Sequence, residues 1–177
     1  MGRTYLGVME STMTLQDIWY QLQKQGGLIS TLGIDGGLED GVVTGRLSIE
    51  RPHTGAPGIA HGGAIMSLLD TTLGGLAMIH AFKRQCATST VEMKVNFLRP
   101  VQEGQTVVAR ATLQSAGKSL MVITGTAEIE SSGKPVAFAV GTFNLYPMDK
   151  ILARRNPPAP TQTPDPHPSQ AAAVGGT

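Results

Sequence analysis

The chain has 177 residues, with 14 basic and 13 acidic side chains and a formal net charge of +1. This length suits one compact domain, and the scattered basic residues give no electrostatic basis for binding nucleic acid or an anionic membrane surface. The single cysteine, Cys86, excludes an intramolecular disulfide and any site built from several cysteines. The first residues contain no apolar signal segment, so we expect a cytoplasmic protein that acts on a small molecule.

An amphipathic helix is predicted near the N-terminus. Thr14 and Asp17 are typical of a helix start, and Leu15, Ile18, Trp19 and Leu22 then follow at helical spacing, up to the glycine pair at 26–27. Residues 42–49 have the β-branched content of a strand, and the glycines and prolines of PHTGAPG predict a loop after it. We assign residues 1–40 to the N-terminal helix and its lead-in, and residues 41–148 to the main domain.

A long apolar segment, residues 62–82, predicts a helix that is buried on nearly every side. Its length approaches that of a membrane span, but Asp70 lies in its middle, and a charge there is costly in lipid. We therefore expect a core helix and no membrane contact. Small and polar residues fall on one stripe of this helix, at Gly63, Ser67, Asp70, Thr71 and Gly74.

The stripe has two interpretations, which spacing alone leaves open. Small residues often mark a close helix contact, in which neighbouring hydroxyls would satisfy Asp70. Alternatively, the stripe is a ligand groove with a carboxylate at its floor, because an unpaired buried carboxylate is expensive unless it has a purpose. Ser67 is expected to support Asp70 from the helix face and not to act as a nucleophile.

After the helix the pattern changes to a period of two, which is typical of strands. Val91, Met93, Val95 and Phe97 alternate with Thr90, Glu92, Lys94 and Asn96, and strands are also predicted for residues 106–113, 120–129 and 135–145. Turn residues separate them, which predicts an antiparallel meander and an α+β fold. Residues 149–177 are assigned to a flexible tail because their proline-rich composition cannot form a core.

The sequence His61-Gly62-Gly63 lies where the long helix is predicted to begin. Free N–H groups at a helix start favour an oxyanion, and glycine lets a ligand approach the backbone. Gly62 and Asp70 are eight residues apart, which is roughly 12 Å along a helix axis. Because one helix cannot bring both to one carbonyl group, the spacing predicts a twofold dimer in which each site uses two chains.

These motifs resemble a known family. HTGAPGIAHGGAIMSLLD, a strand ending in NFLRP and a hairpin carrying GKS are together similar to the PaaI-like acyl-CoA thioesterases of the hotdog-fold superfamily, over roughly residues 47–145. The resemblance implies a long central helix wrapped by a curved antiparallel sheet. It also implies homodimers that share active sites and usually pair into homotetramers, and hydrolysis of an acyl-CoA thioester without a metal or other cofactor.

The resemblance also assigns roles to residues. Asp70 falls on the catalytic carboxylate, as general base or nucleophile, Gly62 on the backbone donor to the thioester carbonyl, and Thr90 on a hydroxyl that orients water. Gly117, Lys118 and Ser119 fall on the hairpin that meets CoA. Relatives often carry Asn or Gln at the position of Gly55. The residues expected to contact substrate are Gly55, Gly63, Ser67, Thr71, Arg99, Gly117, Lys118 and Ser119.

Other interpretations of single residues remain open. His61 is a candidate catalytic residue, as a general base, but a structural role in the turn competes with it. His53 and His61 lack regular ligand spacing, so no metal site is predicted. Arg99 and Lys118 are either solvated charges or cations near a phosphate-rich ligand. The leading hypothesis is an acyl-CoA thioesterase acting on aromatic or medium-chain acyl groups, and the alternatives are a non-catalytic acyl-CoA binding protein or ligand sensor, and an interaction module.

Overall fold

The fold is described from a computed structural model, in which residue 24 and residues 27–149 are placed. Nearly all of the predicted N-terminal helix and the proline-rich segment after residue 149 lie outside these residues. Over the described part of the chain, the elements follow in the order α1 (Leu28–Thr31), β1 (Asp35–Glu39), β2 (Val42–Ser48), a 3-10 turn (Arg51–His53), β3 (Thr54–Ala56), β4 (Ile59–Ala60), α2 (Gly62–Phe82), β5 (Cys86–Phe97), β6 (Thr106–Ala116), β7 (Leu120–Ile129) and β8 (Lys134–Pro147).

The predicted long helix and the strands on either side of it are confirmed. Strand β1 was not predicted, because its sequence DGGLE has two glycines and little β-branched content. It forms by pairing with β2, where Gly37 lies opposite Thr44. Neighbouring backbone, and not local preference, therefore makes this segment a strand.

One antiparallel sheet wraps the long helix. Its strand order is β1-β2-β6-β7-β8-β5, and α2 packs against β2, β5, β6, β7 and β8. A single long helix lying along a curved six-stranded sheet is the hotdog architecture that the sequence resemblance implies. The short strands β3 and β4 pair with each other outside this sheet, in the loop that leads into α2.

The inner face of α2 is the set of helix residues buried against the sheet: Ala64, Ile65, Leu68, Leu69, Thr72, Leu73, Gly75, Ala77 and Ala81. Glycines let the sheet backbone approach this face. A Cβ atom on Gly125 would lie 2.3 Å from Leu73 Cδ1, and one on Gly45 would lie 2.3 Å from Thr72 Oγ1. Burial of each large apolar side chain here contributes about 1.5–3 kcal/mol, so this contact is the main source of stability.

Helix α2 is long and apolar enough to cross a membrane by length and composition alone. In the fold its inner face meets the sheet, so its apolar character is accounted for by the protein core.

An ion-pair cluster lies on the side of the sheet remote from α2. Arg46 in β2 contacts Glu39 in β1 and Glu130, and Arg110 in β6 contacts Glu128 in β7. The hydrogen bond from Arg46 holds the pKa of Glu39 below its usual range, and the two carboxylates raise the pKa of Arg46. Such exposed pairs contribute at most about 1 kcal/mol each, so the cluster assists strand pairing without deciding the fold.

Candidate active site

Asp70 and Thr90 lie in contact. The Thr90 hydroxyl donates a hydrogen bond of 2.8 Å to Asp70 Oδ1, which joins the middle of α2 to β5. Asp70 is half-buried and Thr90 is exposed, so the pair opens to one side. Among the described residues nothing bonds to the other oxygen, Oδ2. A carboxylate held by one oxygen, with the second able to take a proton, is a suitable arrangement for a general base.

A β-bulge turns Thr90 toward the helix. In the register with β8, Thr90 lies opposite Phe143 and Glu92 lies opposite Thr142, so Val91 is the extra residue, and it is 58% exposed. Strict alternation places Thr90 and Met93 on opposite faces of β5. The bulge shifts the register by one, so both residues face α2, which is a recognised use of bulges beside functional sites.

The outer face of α2 carries the predicted stripe, and its members are all half-buried: Gly63, Ser67, Asp70, Thr71 and Gly74. The exposed Met66 lies on the same face. The Ser67 hydroxyl donates to the carbonyl of Gly63 at 2.9 Å. The expectation that Ser67 supports Asp70 is therefore wrong, because the hydroxyl is used inside its own helix. Thr71 lies next to Asp70 on the same face and is half-buried.

The first residues of α2 differ in whether their N–H groups have an acceptor among the described residues. His61 is the N-cap of α2, and its Nδ1 accepts the N–H of Gly63 at 2.9 Å, while its carbonyl accepts the N–H of Ala64 at 3.0 Å. Within the described residues, nothing accepts a hydrogen bond from the N–H of Gly62. This group lies at the positive end of the helix dipole, where a developing oxyanion is stabilised.

Gly55 faces the ring of His61. A Cβ atom at position 55 would lie 2.7 Å from His61 Cδ2, closer than real Cβ contacts. The ring that caps the helix thus occupies the space that a side chain at position 55 would enter. A larger residue at position 55 would therefore require the His61 ring to move.

The two histidines of the loop are both engaged in backbone contacts. His53 is buried, its Nδ1 accepts the N–H of Glu50 at 3.0 Å, and its carbonyl accepts the N–H of His61 at 2.7 Å. These bonds support the structural interpretation of His61. In the described ranges, 24 and 27–149, no three His, Cys, Asp or Glu side chains are grouped so that they could hold a metal ion.

An open pocket of about 360 Å³ lies beside Gly62. Apolar residues form most of its wall, and the Phe97 ring lies over Gly62, 3.2 Å from where a Cβ would be. Arg99 is the charged residue of the wall, and its Nη1 donates to the carbonyl of Pro135 at 2.7 Å. The complete lining is Ala60, Gly62, Ile65, Phe97, Leu98, Arg99, Pro100 and Val101.

The hairpin between β6 and β7 carries the predicted Gly117-Lys118-Ser119. Its Gly117 carbonyl accepts a hydrogen bond of 2.7 Å from Arg84, directly after α2, and its Ser119 carbonyl accepts the N–H of Leu145 in β8 at 2.8 Å. Lys118 is exposed at the tip. Sequence reasoning missed Arg84, because an exposed arginine after a helix carries no signal of its contact across the fold.

Apart from the hairpin at residues 117–119, the main site residues form two groups in one chain. Asp70 and Thr90 lie at the middle of α2, and Gly62, His61, Gly55 and Arg99 lie at its start. The helix is continuous from Gly62 to Phe82, so Gly62 and Asp70 are roughly 12 Å apart along its axis. Each group alone holds half of a hydrolytic site: a base with a hydroxyl in one, and a carbonyl-binding N–H in the other.

Comparison with known proteins identifies the family of the chain. Residues 57–136 match the family model described as the thioesterase superfamily. SSO1253 of Saccharolobus solfataricus, provisionally named as an esterase, is 30% identical over 127 residues, which cover 71% of this chain and 82% of that protein.

Solved structures show the same fold. The thioesterase HI1161 of Haemophilus influenzae has a TM-score of 0.68 at 22% identity, covering 78% of this chain and 94% of that one. The PaaI protein from the phenylacetic acid degradation operon of Escherichia coli has a TM-score of 0.63 at 22% identity, covering 75% and 96%. The chain is a hotdog-fold protein and belongs to the thioesterase superfamily.

Proposed function

We propose that the protein hydrolyses acyl-CoA thioesters with aromatic or medium-chain acyl groups to the free acid and CoA. The observation that carries this proposal is the hydrogen bond from Thr90 to Asp70, which fixes a carboxylate on the otherwise apolar α2. Family membership supports thioester hydrolysis, and the acyl group and the CoA carrier are inferred from the site.

The reaction uses Asp70 and the N–H of Gly62. The carboxylate takes a proton from a water molecule, and the hydroxide attacks the thioester carbonyl; alternatively the carboxylate attacks it directly, and water then cleaves the mixed anhydride. The oxyanion of the intermediate accepts the Gly62 N–H. The C–S bond breaks, CoA thiolate leaves and takes up a proton, and Thr90 keeps the carboxylate oriented. This chemistry needs no metal or cofactor.

Two chains build each site in this proposal, because the two groups are too far apart in one chain. Strand β5 supports the pairing, since among the described strands it lies at the edge of the sheet and pairs with β8 alone. Its exposed apolar residues Val91 and Phe97 are 58% and 51% accessible, and the following Leu98 is 58% accessible. Exposed apolar edges commonly associate. We propose a homodimer in which Gly62 of one subunit faces Asp70 of the other, with pairing into a homotetramer.

The pocket beside Gly62 is proposed to hold the acyl group. Its apolar wall directly adjoins the N–H that would bind the carbonyl, and its volume of about 360 Å³ lies at the lower end of the usual range for small-molecule pockets. A benzoyl, phenylacetyl or medium-chain group would suit it. PaaI comes from a phenylacetic acid degradation operon, which supports an aromatic acyl group.

The hairpin at residues 117–119 is proposed to meet the CoA moiety. Lys118 supplies an exposed cation there, and Arg84 holds the hairpin backbone through Gly117. Phosphate groups of CoA would be attracted to these charges. A cytoplasmic location remains part of the proposal.

Thiol release tests the proposal directly. Phenylacetyl-, benzoyl- and medium-chain acyl-CoAs should each be assayed with the wild-type protein, and at least one should turn over. Binding without hydrolysis across the whole panel would favour the alternative, an acyl-CoA binding protein or ligand sensor, for which the absent side chain at Gly55 is the motivating observation. Sedimentation of a folded, active monomer would contradict the shared site.

A further inference from the structure

Met66 is a large apolar residue on the outer face of α2, and its side chain is 39% exposed. Along the helix it lies midway between Gly62 and Asp70, four residues from each. Methionine is a flexible apolar side chain that commonly fills gaps between packed surfaces. In one chain, this side chain instead leaves apolar surface in water between the two groups that the reaction uses.

The two groups on either side of Met66 have opposite electrostatic character. Asp70 is the acidic residue of α2, and among the described residues no lysine, arginine or histidine forms an ion pair with it. The N–H of Gly62 lies at the positive end of the helix dipole. A second copy of α2, running antiparallel beside the first, would place each carboxylate next to the positive helix start of the other copy. This charge complementarity favours a second copy of the chain as the partner of the outer face.

A twofold axis fixes how two such helices lie beside each other. Helices that are related by the axis and packed side by side run antiparallel, and every contact occurs twice. Gly62 of one copy then faces Asp70 of the other only where the axis passes midway between these positions, at residue 66. Moving the axis by two residues would separate the facing groups by about 6 Å, which is too far for both to reach one carbonyl group.

The residues nearest this axis are those at positions 64–68. Ala64, Ile65 and Leu68 are buried against the sheet of their own chain. The hydroxyl of Ser67 is bonded to a carbonyl of its own helix, one turn earlier. Met66 is therefore the large side chain at this level that is available to contact a second copy.

We propose that Met66 packs against Met66 of the partner subunit across a twofold axis. This contact sets the register in which Gly62 of one copy faces Asp70 of the other. The inference rests on the two-chain site of the proposed function and identifies the residue at its centre. Met66 touches no reacting atom in this arrangement, so it is a positioning residue.

Cross-linking tests the register. Met66→Cys is made in a Cys86→Ser background, so that position 66 carries the single thiol of the chain. A short bismaleimide, with a reach comparable to two packed methionine side chains, should join two copies. Gly74→Cys in the same background is the control, since position 74 lies on the same face but eight residues from the axis. Its two thiols would be roughly 24 Å apart and should stay unlinked. Linking through position 74 and not through position 66 would overturn the proposed register.

Opposite charges at position 66 test the contact without covalent chemistry. Met66→Glu and Met66→Lys each bring two like charges together at the axis, so each variant alone should associate at least about 10-fold more weakly in sedimentation. An equal mixture should associate again, because Glu then meets Lys, and this rescue is informative even where the separate chains lose structure. Val42, 40% exposed on β2, is the matched control: Val42→Glu and Val42→Lys should sediment as the wild type does. Unchanged sedimentation of both position-66 variants, or failure of the mixture to associate, would overturn the inference.

Activity separates this inference from the proposed function, because neither cross-linking nor sedimentation needs turnover. If position 66 links and the wild type hydrolyses no thioester, the contact stands and hydrolysis fails. If the wild type hydrolyses a thioester and position 66 neither links nor affects association, the contact fails and hydrolysis stands. Where both hold, the Met66→Glu and Met66→Lys mixture should turn over at least about 10-fold faster than either variant alone. If no linking, no effect on association and no turnover are observed, both fail.

Discussion

Polar side chains on the two faces of α2 have different hydrogen-bond partners. On the inner face, Thr72 is fully buried, and its hydroxyl donates to the carbonyl of Leu68, one turn earlier. On the outer face, two positions away, Asp70 is half-buried and is bonded by Thr90 of another element. A polar residue in an apolar helix is thus not by itself a site. What distinguishes the two is whether the helix satisfies the polar group or leaves it facing a groove.

Replacing Asp70 is the strongest test of this comparison. Asp70→Asn keeps the shape but removes the base, so we expect kcat to fall by about two to four orders of magnitude. Substrate binding and the assembly should persist, and the melting temperature should stay level or rise, because a half-buried charge is lost. Kinetics, calorimetry and melting are to be measured on one sample.

The matched control for Asp70→Asn is Thr72→Val on the inner face. It removes a hydroxyl that serves only the helix, so turnover per folded molecule should remain near that of the wild type. Near-wild-type turnover of Asp70→Asn would remove the carboxylate from the mechanism and leave the stripe as a packing surface.

Replacing a glycine that faces α2 tests, through protein stability, how closely the inner face of the helix packs on the sheet. A Cβ on Gly125 would lie 2.3 Å from Leu73 Cδ1 and 3.4 Å from the carbonyl of Arg110. Gly125→Ala should therefore lower the free energy of unfolding by about 1–3 kcal/mol through overpacking. Urea denaturation measures this loss, and turnover per folded molecule should change little.

A glycine on the outer face of α2, Gly74, provides a control in which alanine is expected to raise stability. Gly74→Ala adds a methyl group with only Phe143 nearby, at 3.9 Å, and a helix gains about 0.5–1 kcal/mol when alanine replaces an interior glycine. The two alanine variants should therefore shift stability in opposite directions. Equal destabilisation by both would contradict the assignment of the faces.

Periodicity was sufficient to predict α2, the strands that follow it and the stripe that contains Asp70. It could not predict that Thr90 faces Asp70, because alternation along β5 places Thr90 on the other side and the bulge at Val91 reverses this. It also missed β1, whose glycine-rich segment becomes a strand through pairing with β2. Both features depend on contacts between distant residues, which local pattern does not encode.

Gly55 provides a smaller and more specific test at the start of α2. A side chain there meets the His61 ring, so Gly55→Asn should displace the ring and break its hydrogen bond to Gly63. Loss of an N-cap costs about 1 kcal/mol, and we expect kcat/KM to fall several-fold as the Gly62 N–H moves. In a His61→Ala background, Gly55→Asn should have little further effect on stability. Higher turnover in Gly55→Asn would show that the ring is not the reason for glycine.

The smallest expected effect is the pH dependence from His80, near the C-terminal end of α2. Burial, and then the nearby charges of Lys83 and Arg84, lower the pKa of His80 below its usual value of 6.5. Below pH 6.5 the unfolded chain therefore binds a proton at His80 more readily than the folded protein does. The free energy of unfolding falls as the pH drops from 6.5 through the pKa of His80 in the folded protein, and above pH 6.5 this group has no effect on it. His80→Gln should reduce this slope in urea titrations between pH 7.5 and about 5. Arg84→Gln should reduce it partly, because one of the two cations is removed while burial and Lys83 remain. An unchanged slope in His80→Gln would mean that the folded protein does not disfavour the charged imidazole of His80. The negative end of the helix dipole, which favours cations near the end of α2, would then outweigh burial and the neighbouring cations.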